Sequence, residues 1–531
     1  MAVSLLTGVD AALLAVLGYV LFYLGRTLSR RVAKRATFAS TRPPGPPGLP
    51  FVGNAYQIPH DRQWLKFDEW TKQYGDIVQI SVMGQPTVII GSAQIASDLL
   101  DARGAIYSDR PQAVMAGELV GWDLGLGYAP GPHSPRFREF RRLFQQFMGP
   151  RAAQEPTLLA AQEKNATKLL RRLLIAPEKF MTHVRQSTGA LILYLTYGYE
   201  VSEDTDQDAL VNIAEEAMQG FARASDPGAY MVDTLPWLKH IPEWFPGARF
   251  QQDAKVMRQS RERLYDVPYD FVQCEMAKGA VPRSFVASYI DEKVEPTAAE
   301  GELIKAAAAS LYSGGADTTP SSLASLILAM TLYPEIQKRA QAELDTVIGG
   351  SWGRLPGFAD RSNLPYIDAI VLEVLRWNTS VPLGLAHRLT QDDVYEGHHF
   401  AKGTVFWANI WTMLNDANIF PEPSRFVPER FLDENGRLRT LSRSEDPAVI
   451  GFGFGRRICP GMHFAHNSIF IAIARMLYVF NFAKARDQGG AEITPQIEYD
   501  GFISHPRPFP CSIVPRSKAA EDLILHAVQS E

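Results

Sequence analysis

Residues Gly451 to Gly461 read GFGFGRRICPG, and a helical pattern from Met462 to Val479 follows at once. Four glycines in eleven residues describe a tight loop that enters a helix. A helix amino terminus and the neighbouring Arg456 and Arg457 each favour a thiolate at Cys459. Glycines let the backbone approach a large flat ligand and turn N–H groups toward sulfur. A soft thiolate suits iron. Taken alone, the same loop also accommodates a buried structural thiol. Cys274 and Cys511, the other two cysteines, have no such setting and read as ordinary apolar cysteines. Three scattered cysteines exclude a disulfide framework and a zinc knuckle.

A second stretch conflicts with its own helical pattern. Ser310 to Met330 reads SLYSGGADTTPSSLASLILAM. Gly314 and Gly315 each cost a helix about 1 kcal/mol against alanine. An Asp317-Thr318 pair is costly to bury without partners. Local conflicts of this kind mark function or a close helix–helix notch. Pro320 removes its own N–H and frees the carbonyl of Ala316, so a bend or widened groove is expected there, with that carbonyl open to water or Thr318. Glu373 and Arg376 lie three apart on one helix face and can pair.

The spacing Phe452-x-x-Gly455-x-Arg457-x-Cys459-x-Gly461 resembles the haem-binding signature of the cytochrome P-450 family, and the agreement runs in order from Pro43 to Pro510. The resemblance implies a mainly α fold with small β-sheets, a single large domain, and heme b as cofactor. Cys459 is then the axial ligand of iron, with Phe452 near the sulfur and Gly455 and Gly461 shaping the loop. Thiolate ligation pushes electron density onto iron and favours O–O cleavage. Gly314 to Thr319 resembles the distal-helix motif of the family, which implies that Asp317 and Thr318 pass protons during oxygen activation. Pro428-Glu429-Arg430-Phe431 resembles another family segment. It implies a buried triad of Glu373, Arg376 and Arg430 with a structural role.

Two haem carboxylates need cations. Arg457 is one by resemblance. Arg136 to Arg142 resembles the family's Trp-x-x-x-Arg helix, with Phe137 in place of the tryptophan, so the likeness carries Arg141 only. His387 matches a propionate-binding position, a buried neutral histidine being the other reading. Arg110 is a further candidate. Arg136, Arg138, Arg142 and Arg456 are expected on the cysteine side of the haem as a basic docking face for an acidic reductase, or as a plain solvated face.

Long helical patterns cover Gln154 to Leu174, Gly301 to Leu332, Glu335 to Ile348 and Tyr366 to Trp377. Short strand-like runs sit at Ile77 to Ser81, Thr87 to Ile90 and Thr404 to Ala408. Ser4 to Gly25 carries one charge, Asp10, and as a helix would span about 33 Å, enough for a bilayer core. Arg26, Arg30, Arg31, Lys34 and Arg35 follow it, so the positive-inside rule leaves the body in the cytosol. The expected plan is a single-pass anchor over 4–25 in the endoplasmic reticulum membrane, a basic and proline-rich linker over 26–50, a catalytic domain over 51–516, and a partly ordered tail over 517–531.

The 531 residues carry 53 Lys+Arg against 58 Asp+Glu, a formal charge of −5, with 46% hydrophobic residues. These proportions exclude a disordered or many-span membrane chain and give no sign of nucleic-acid binding. No flavin or nicotinamide motif is present, so the resemblance implies NADPH–cytochrome P-450 reductase as electron donor, with cytochrome b5 as an optional second donor. Pocket segments by family analogy are Ala113 to Trp122, Phe221 to Tyr230, Ala309 to Thr318, Val381 to Leu385 and Gly501 to Ser504. Their apolar centre leans toward a lipophilic substrate, a terpenoid or polyketide of fungal secondary metabolism. Two segments, Met115 to Trp122 and Ser504 to Phe509, look like those of fungal microsomal members. The expected activity is insertion of one oxygen atom of O2 into a C–H bond. Rival readings are a P-450-fold isomerase or oxidase without oxygen insertion, and a non-catalytic haem-binding protein. A membrane-anchored hydrolase lacks any nucleophile elbow to support it.

Overall fold

The computed structural model describes residues 42–531 except 132, 203–207, 227, 280–282, 293–296, 351 and 531. The expected anchor at 4–25 and the basic stretch after it lie outside the described residues. Among the described residues, no helix is long and apolar enough to cross a membrane.

Among the described residues, helices of twelve residues or more are α1 Gln63–Tyr74, α2 Pro135–Met148, α3 Pro156–Ile175, α4 Phe180–Tyr197, α5 Ala209–Ser225, α6 Arg249–Ala277, α7 Ala298–Gly315, α8 Thr318–Leu332, α9 Pro334–Ile348, α10 Pro365–Trp377, α11 Met462–Val479 and α12 Lys518–Ser530. Proline opens α2, α3, α9 and α10, where its fixed φ suits the first turn and its missing N–H has no intrahelical acceptor. Thr297 and Glu300 form a capping box at the start of α7.

The strands are short: β1 Ile77–Val82, β2 Gln85–Ile90, β3 His387–Arg388, β4 Asp393–Tyr395, β5 His398–Phe400, β6 Val405–Ala408, β7 Phe480–Arg486, β8 Glu492–Ile493, β9 Tyr499–Asp500, β10 His505–Pro506 and β11 Cys511–Pro515. One sheet runs β1-β2-β6-β3, with β2 and β6 parallel and the other pairs antiparallel. A second runs β11-β7-β8; β4 pairs with β5 and β9 with β10. The fold is mainly α with small sheets, as the resemblance implies.

Two helices form the centre. α8 is buried from Thr319 to Thr331, and α11 from Asn467 to Val479. They pack on each other and on α10, so the loop before α11 and the junction before α8 are held by one core.

Four expectations change. The pattern Gly301 to Leu332 is not one helix: the backbone ladder ends with Ala316 N–H to Tyr312 O (2.9 Å) and resumes with Ser321 N–H to Asp317 O (3.4 Å). The bend expected at Pro320 is present, but Thr318 Oγ1 donates to the carbonyl of Gly314 (2.8 Å) instead of that of Ala316. Residues 43–50 are not a free spacer. Gln79 N–H donates to Pro44 O (2.9 Å), and a Cβ on Gly45 would stand 2.1 Å from Gln79 O, so this stretch lies against β1. The tail is a helix, α12, because Ala520 and Ile524, one turn apart, are both fully buried.

Candidate active site

The cysteine loop is built by contacts far from it in sequence. Gly455 has φ +59°, and a Cβ there would lie 2.0 Å from the carbonyl of Leu100. Only glycine fits that approach. Its N–H donates to the Asp101 carboxylate, and Asp101 pairs with Arg443 at 2.6 Å. Cys459 N–H donates to the carbonyl of Phe452 (2.9 Å), closing the loop. α11 starts three residues later, with Gly461 as its N-cap.

The thiol does not show the shift expected from its neighbours. Burial pushes its pKa up; the Gly461 N–H and the Arg141 charge pull against this without reversing it. Arg456 is exposed and Arg457 turns away, so neither acts on the sulfur as expected. A thiolate here therefore needs a bound cation to be the stable form.

The cationic candidates form one cluster held by backbone carbonyls. Arg110 donates to Gly127 O (3.0 Å), Leu385 O (2.7 Å) and Ala386 O (2.6 Å). Arg457 donates to Ser108 O (2.9 Å) and Ala129 O (2.7 Å), and its guanidinium lies 4.1 Å from the Phe137 ring centroid. Arg141, one turn beyond Phe137 on α2, donates to Ile458 O (2.6 Å). His387 Nδ1 lies 2.8 Å from Tyr107 O. Burial, then the charge of Arg457, lowers the Arg110 pKa to about 9. Burial, then the charges of Arg110 and Arg457, leaves His387 neutral, with a pKa of about 3. The nearby carboxylate, Asp109, is taken by Arg388 at 2.5 Å. Guanidinium groups held by carbonyls, Arg110 buried and Arg141 and Arg457 half-buried, carry charge that a dianionic ligand would neutralise.

At the α7–α8 junction, a Cβ on Gly314 would meet no neighbouring atom within 4 Å, which leaves space beside Thr318. Asp317 caps no N–H of α8. Its Oδ1 lies 3.1 Å from His505 Nε2 and 3.4 Å from Arg185 Nη2. Neither partner is legible in the sequence. They come from β10 and α4, and no local pattern marks a pairing made by the fold. On the far side, Arg376 and Glu373 are fully buried and bonded at 2.7 Å, and Arg430 lies 3.2 Å from the same carboxylate. The expected triad residues are thus together.

The basic face is smaller than expected. Arg138, Arg142 and Arg456 are exposed, Arg142 in a surface pair with Glu139, whereas Arg136 turns back to Leu124 O (2.9 Å). Three of the expected pocket segments meet at a cavity of about 310 Å³, whose apolar wall includes Trp64, Val381, Leu383, Trp407 and Phe502. Ala222, Arg223 and Asp226 close it from the end of α5. The expected segments Ala113 to Trp122 and Ala309 to Thr318 do not line this cavity; Met115 N–H donates to Asp233 (2.8 Å), and Trp122 meets Phe221 edge-on at 5.0 Å.

A loop cysteine at a helix start, a cluster of buried and half-buried cations suited to an anion, and a helix interrupted at a Gly-Gly-x-Asp-Thr stretch fit a haem protein of the thiolate class. The Cytochrome P450 family profile matches residues 43–512. The chain is 44% identical over 520 residues to cytochrome P450 monooxygenase 208 of Postia placenta, covering 98% of this chain and 96% of that protein. It is 41% identical over 506 residues to the monooxygenase claR of Ampulloclitocybe clavipes, covering 95% and 90%. It is 37% identical over 490 residues to the tryptamine 4-monooxygenase of Psilocybe cyanescens, covering 90% and 94%. The chain belongs to the cytochrome P-450 family of haem-thiolate monooxygenases, whose cofactor is iron haem.

Proposed function

We propose that the protein inserts one atom of O2 into a C–H bond of a lipophilic small molecule, with electrons from NADPH through a separate reductase. The observation that carries this reading is the pairing of the Cys459 loop with buried Arg110, half-buried Arg141 and Arg457, and neutral His387, a donor set that suits one iron ligand and two propionates. Bound haem supplies the electron-rich iron at which O2 is split. Cys459 would hold the iron through its sulfur, with the Gly461 N–H beside it. Arg110, Arg141 and Arg457 take the carboxylates, and Phe137 supports Arg457 through its ring face. Thr318, with its hydroxyl fixed on Gly314 O, and Asp317 bring protons to the oxygen site. The Glu373–Arg376–Arg430 triad holds the segment around Val427 in register.

The substrate reaches the site through the cavity at Leu383 and Phe502, whose aromatic and aliphatic wall suits a terpenoid or polyketide. Exposed Trp237, Trp244 and Phe51 present apolar surface outside it, which supports a face resting on the endoplasmic reticulum membrane. Participation in fungal secondary metabolism is the pathway reading that we favour. The test is the reduced carbon monoxide spectrum of the purified protein and of C459S: wild type gives the red-displaced Soret band of sulfur-ligated iron, and C459S loses it. Identical spectra refute the assignment. Turnover of apolar metabolites with reductase and NADPH then separates oxygen insertion from rearrangement, which requires no NADPH.

A further inference from the structure

α8 carries polar side chains where apolar ones would be cheaper to bury. Ser321, Ser322 and Ser325 are all buried in a helix that is mostly aliphatic through Met330. A hydroxyl in such a place costs free energy unless it is bonded. Here each is bonded, and the bonds lead out of the helix to two loops. Ser321 Oγ donates to the carbonyl of Ser504. Ser325 Oγ donates to Ser321 O (2.7 Å). Ser322 Oγ lies 3.3 Å from Ser380 Oγ, which donates to Thr318 O (3.0 Å).

Asn378, buried after the end of α10, joins the helix to both loops. Its Nδ2 donates to Ser325 Oγ (2.9 Å) and lies 3.3 Å from both Ser321 Oγ and Ser504 O. Its Oδ1 accepts from Ser504 Oγ (3.2 Å). The neighbours fix the direction of the amide. The carbonyl of Ser504 can only accept, and the Ser321 and Ser325 protons are given elsewhere, so the NH2 faces that side. Ser504 N–H donates to Ser380 O (2.8 Å), which ties the two loops to each other. Ser504 belongs to the turn of the β9–β10 hairpin. These loops wall the cavity of about 310 Å³: Val381, Pro382, Leu383 and Gly384 follow Asn378, and Gly501 and Phe502 precede Ser504. Thr318, whose hydroxyl is fixed on Gly314 O, begins the same helix that Asn378 holds.

We propose that Asn378 is a positioning residue that sets substrate specificity: it fixes both cavity walls to α8 and so determines which part of a bound molecule rests beside Thr318. The proposal rests on the reading of that cavity as the substrate's path. Asn378 acts through the loops of Leu383 and Phe502 and touches no substrate itself. Leucine keeps the branched shape of the side chain without its amide, so N378L frees both walls from the helix.

The test uses the full-length holoenzyme in wild type, N378L, S504A and I524A. Imidazole and 1-octylimidazole are the probes, read by the shift of the Soret band. Imidazole reports access to the iron alone, and the octyl chain adds contact with the walls. Wild type prefers 1-octylimidazole by about 100-fold, through the apolar area that the chain buries. N378L cuts that preference about 10-fold and leaves the imidazole affinity unchanged, because misplaced walls act on the chain only. S504A, which removes the partner of Oδ1, cuts it about 3-fold. Across the series from 1-butylimidazole to 1-dodecylimidazole, the chain length bound most tightly shifts in N378L. I524A is the destabilised control: Ile524 is buried under the tail helix and lines no part of the cavity, and this variant keeps the wild-type preference. An N378L preference equal to wild type overturns the proposal, as does an I524A loss as large as that of N378L. Where N378L does not retain haem, an S504A preference equal to wild type overturns it in the same way. Wild type that binds both probes equally overturns the reading of the cavity instead, and a wild-type protein without a haem Soret band overturns the haem assignment.

Discussion

Replacing Glu373 by leucine removes the centre of a fully buried charge cluster. Its carboxylate accepts from Arg376 Nε (2.7 Å) and Nη2 (2.8 Å), from Val427 N–H (2.7 Å) and from Arg430 Nε (3.2 Å). Charge-assisted bonds contribute about 1.5–3 kcal/mol each, so four give about 6–12 kcal/mol before desolvation is counted. Taking the ions out of water offsets several kcal/mol per ion. The net loss on removing one partner is about 3–5 kcal/mol, because Arg376 then stays buried with only the carbonyls of Leu414, Pro423 and Arg425. The E373L/R376M double variant removes both charges and recovers most of that loss. E422Q is the surface comparison: Glu422 and Arg425 are 67% and 58% exposed at 3.0 Å, and its loss is below about 1 kcal/mol. Urea unfolding followed by circular dichroism, with haem absorbance alongside, reads all three. A loss for E373L within about 1 kcal/mol of that for E422Q refutes the reasoning.

Ile524 is fully buried, so I524A lowers the unfolding free energy by about 2–4 kcal/mol and mimics truncation after Arg516 in the same denaturation assay. Burial, then Arg361 and His463, lowers the His466 pKa to about 3, so the folded chain keeps it neutral while the unfolded chain protonates it. Stability therefore falls as pH drops from about 6.5 toward 3, and H466N flattens that limb by about 1.4 kcal/mol per pH unit in pH-dependent unfolding. R138E combined with R456E slows first-electron transfer from the reductase about 10-fold at low salt in stopped flow, and the difference shrinks at high salt. Rates unchanged at low salt eliminate the docking face.

The parts legible in sequence are those written locally. The glycine-rich cysteine loop, the Asp317-Thr318 pair beside Pro320 and the i,i+3 spacing of Glu373 and Arg376 each sit in one short window. Helix ends also follow local signals, as Pro156, Pro334 and Pro365 show. The rest depends on distant partners. His505 and Arg185 reach Asp317 only after the hairpin and α4 pack on the α7–α8 junction. The direction of the Cys459 pKa depends on burial, which outweighs nearby charges and has no local sequence mark. The order of α12 is hidden in the sequence because its buried positions, Ala520 and Ile524, gain their meaning only from the neighbouring α3. The docking face is reduced because Arg136 turns back to the carbonyl of Leu124.

Gly455 leans on the carbonyl of Leu100 and takes Asp101 as its acceptor, so the sulfur-bearing loop is anchored to the first quarter of the chain. During synthesis that anchor waits, exposed, for most of the polypeptide to emerge. The thiol at 459 is made about 360 residues after that anchor, which is already waiting when the loop emerges. Porphyrin supplied earlier than that meets no thiol to hold it.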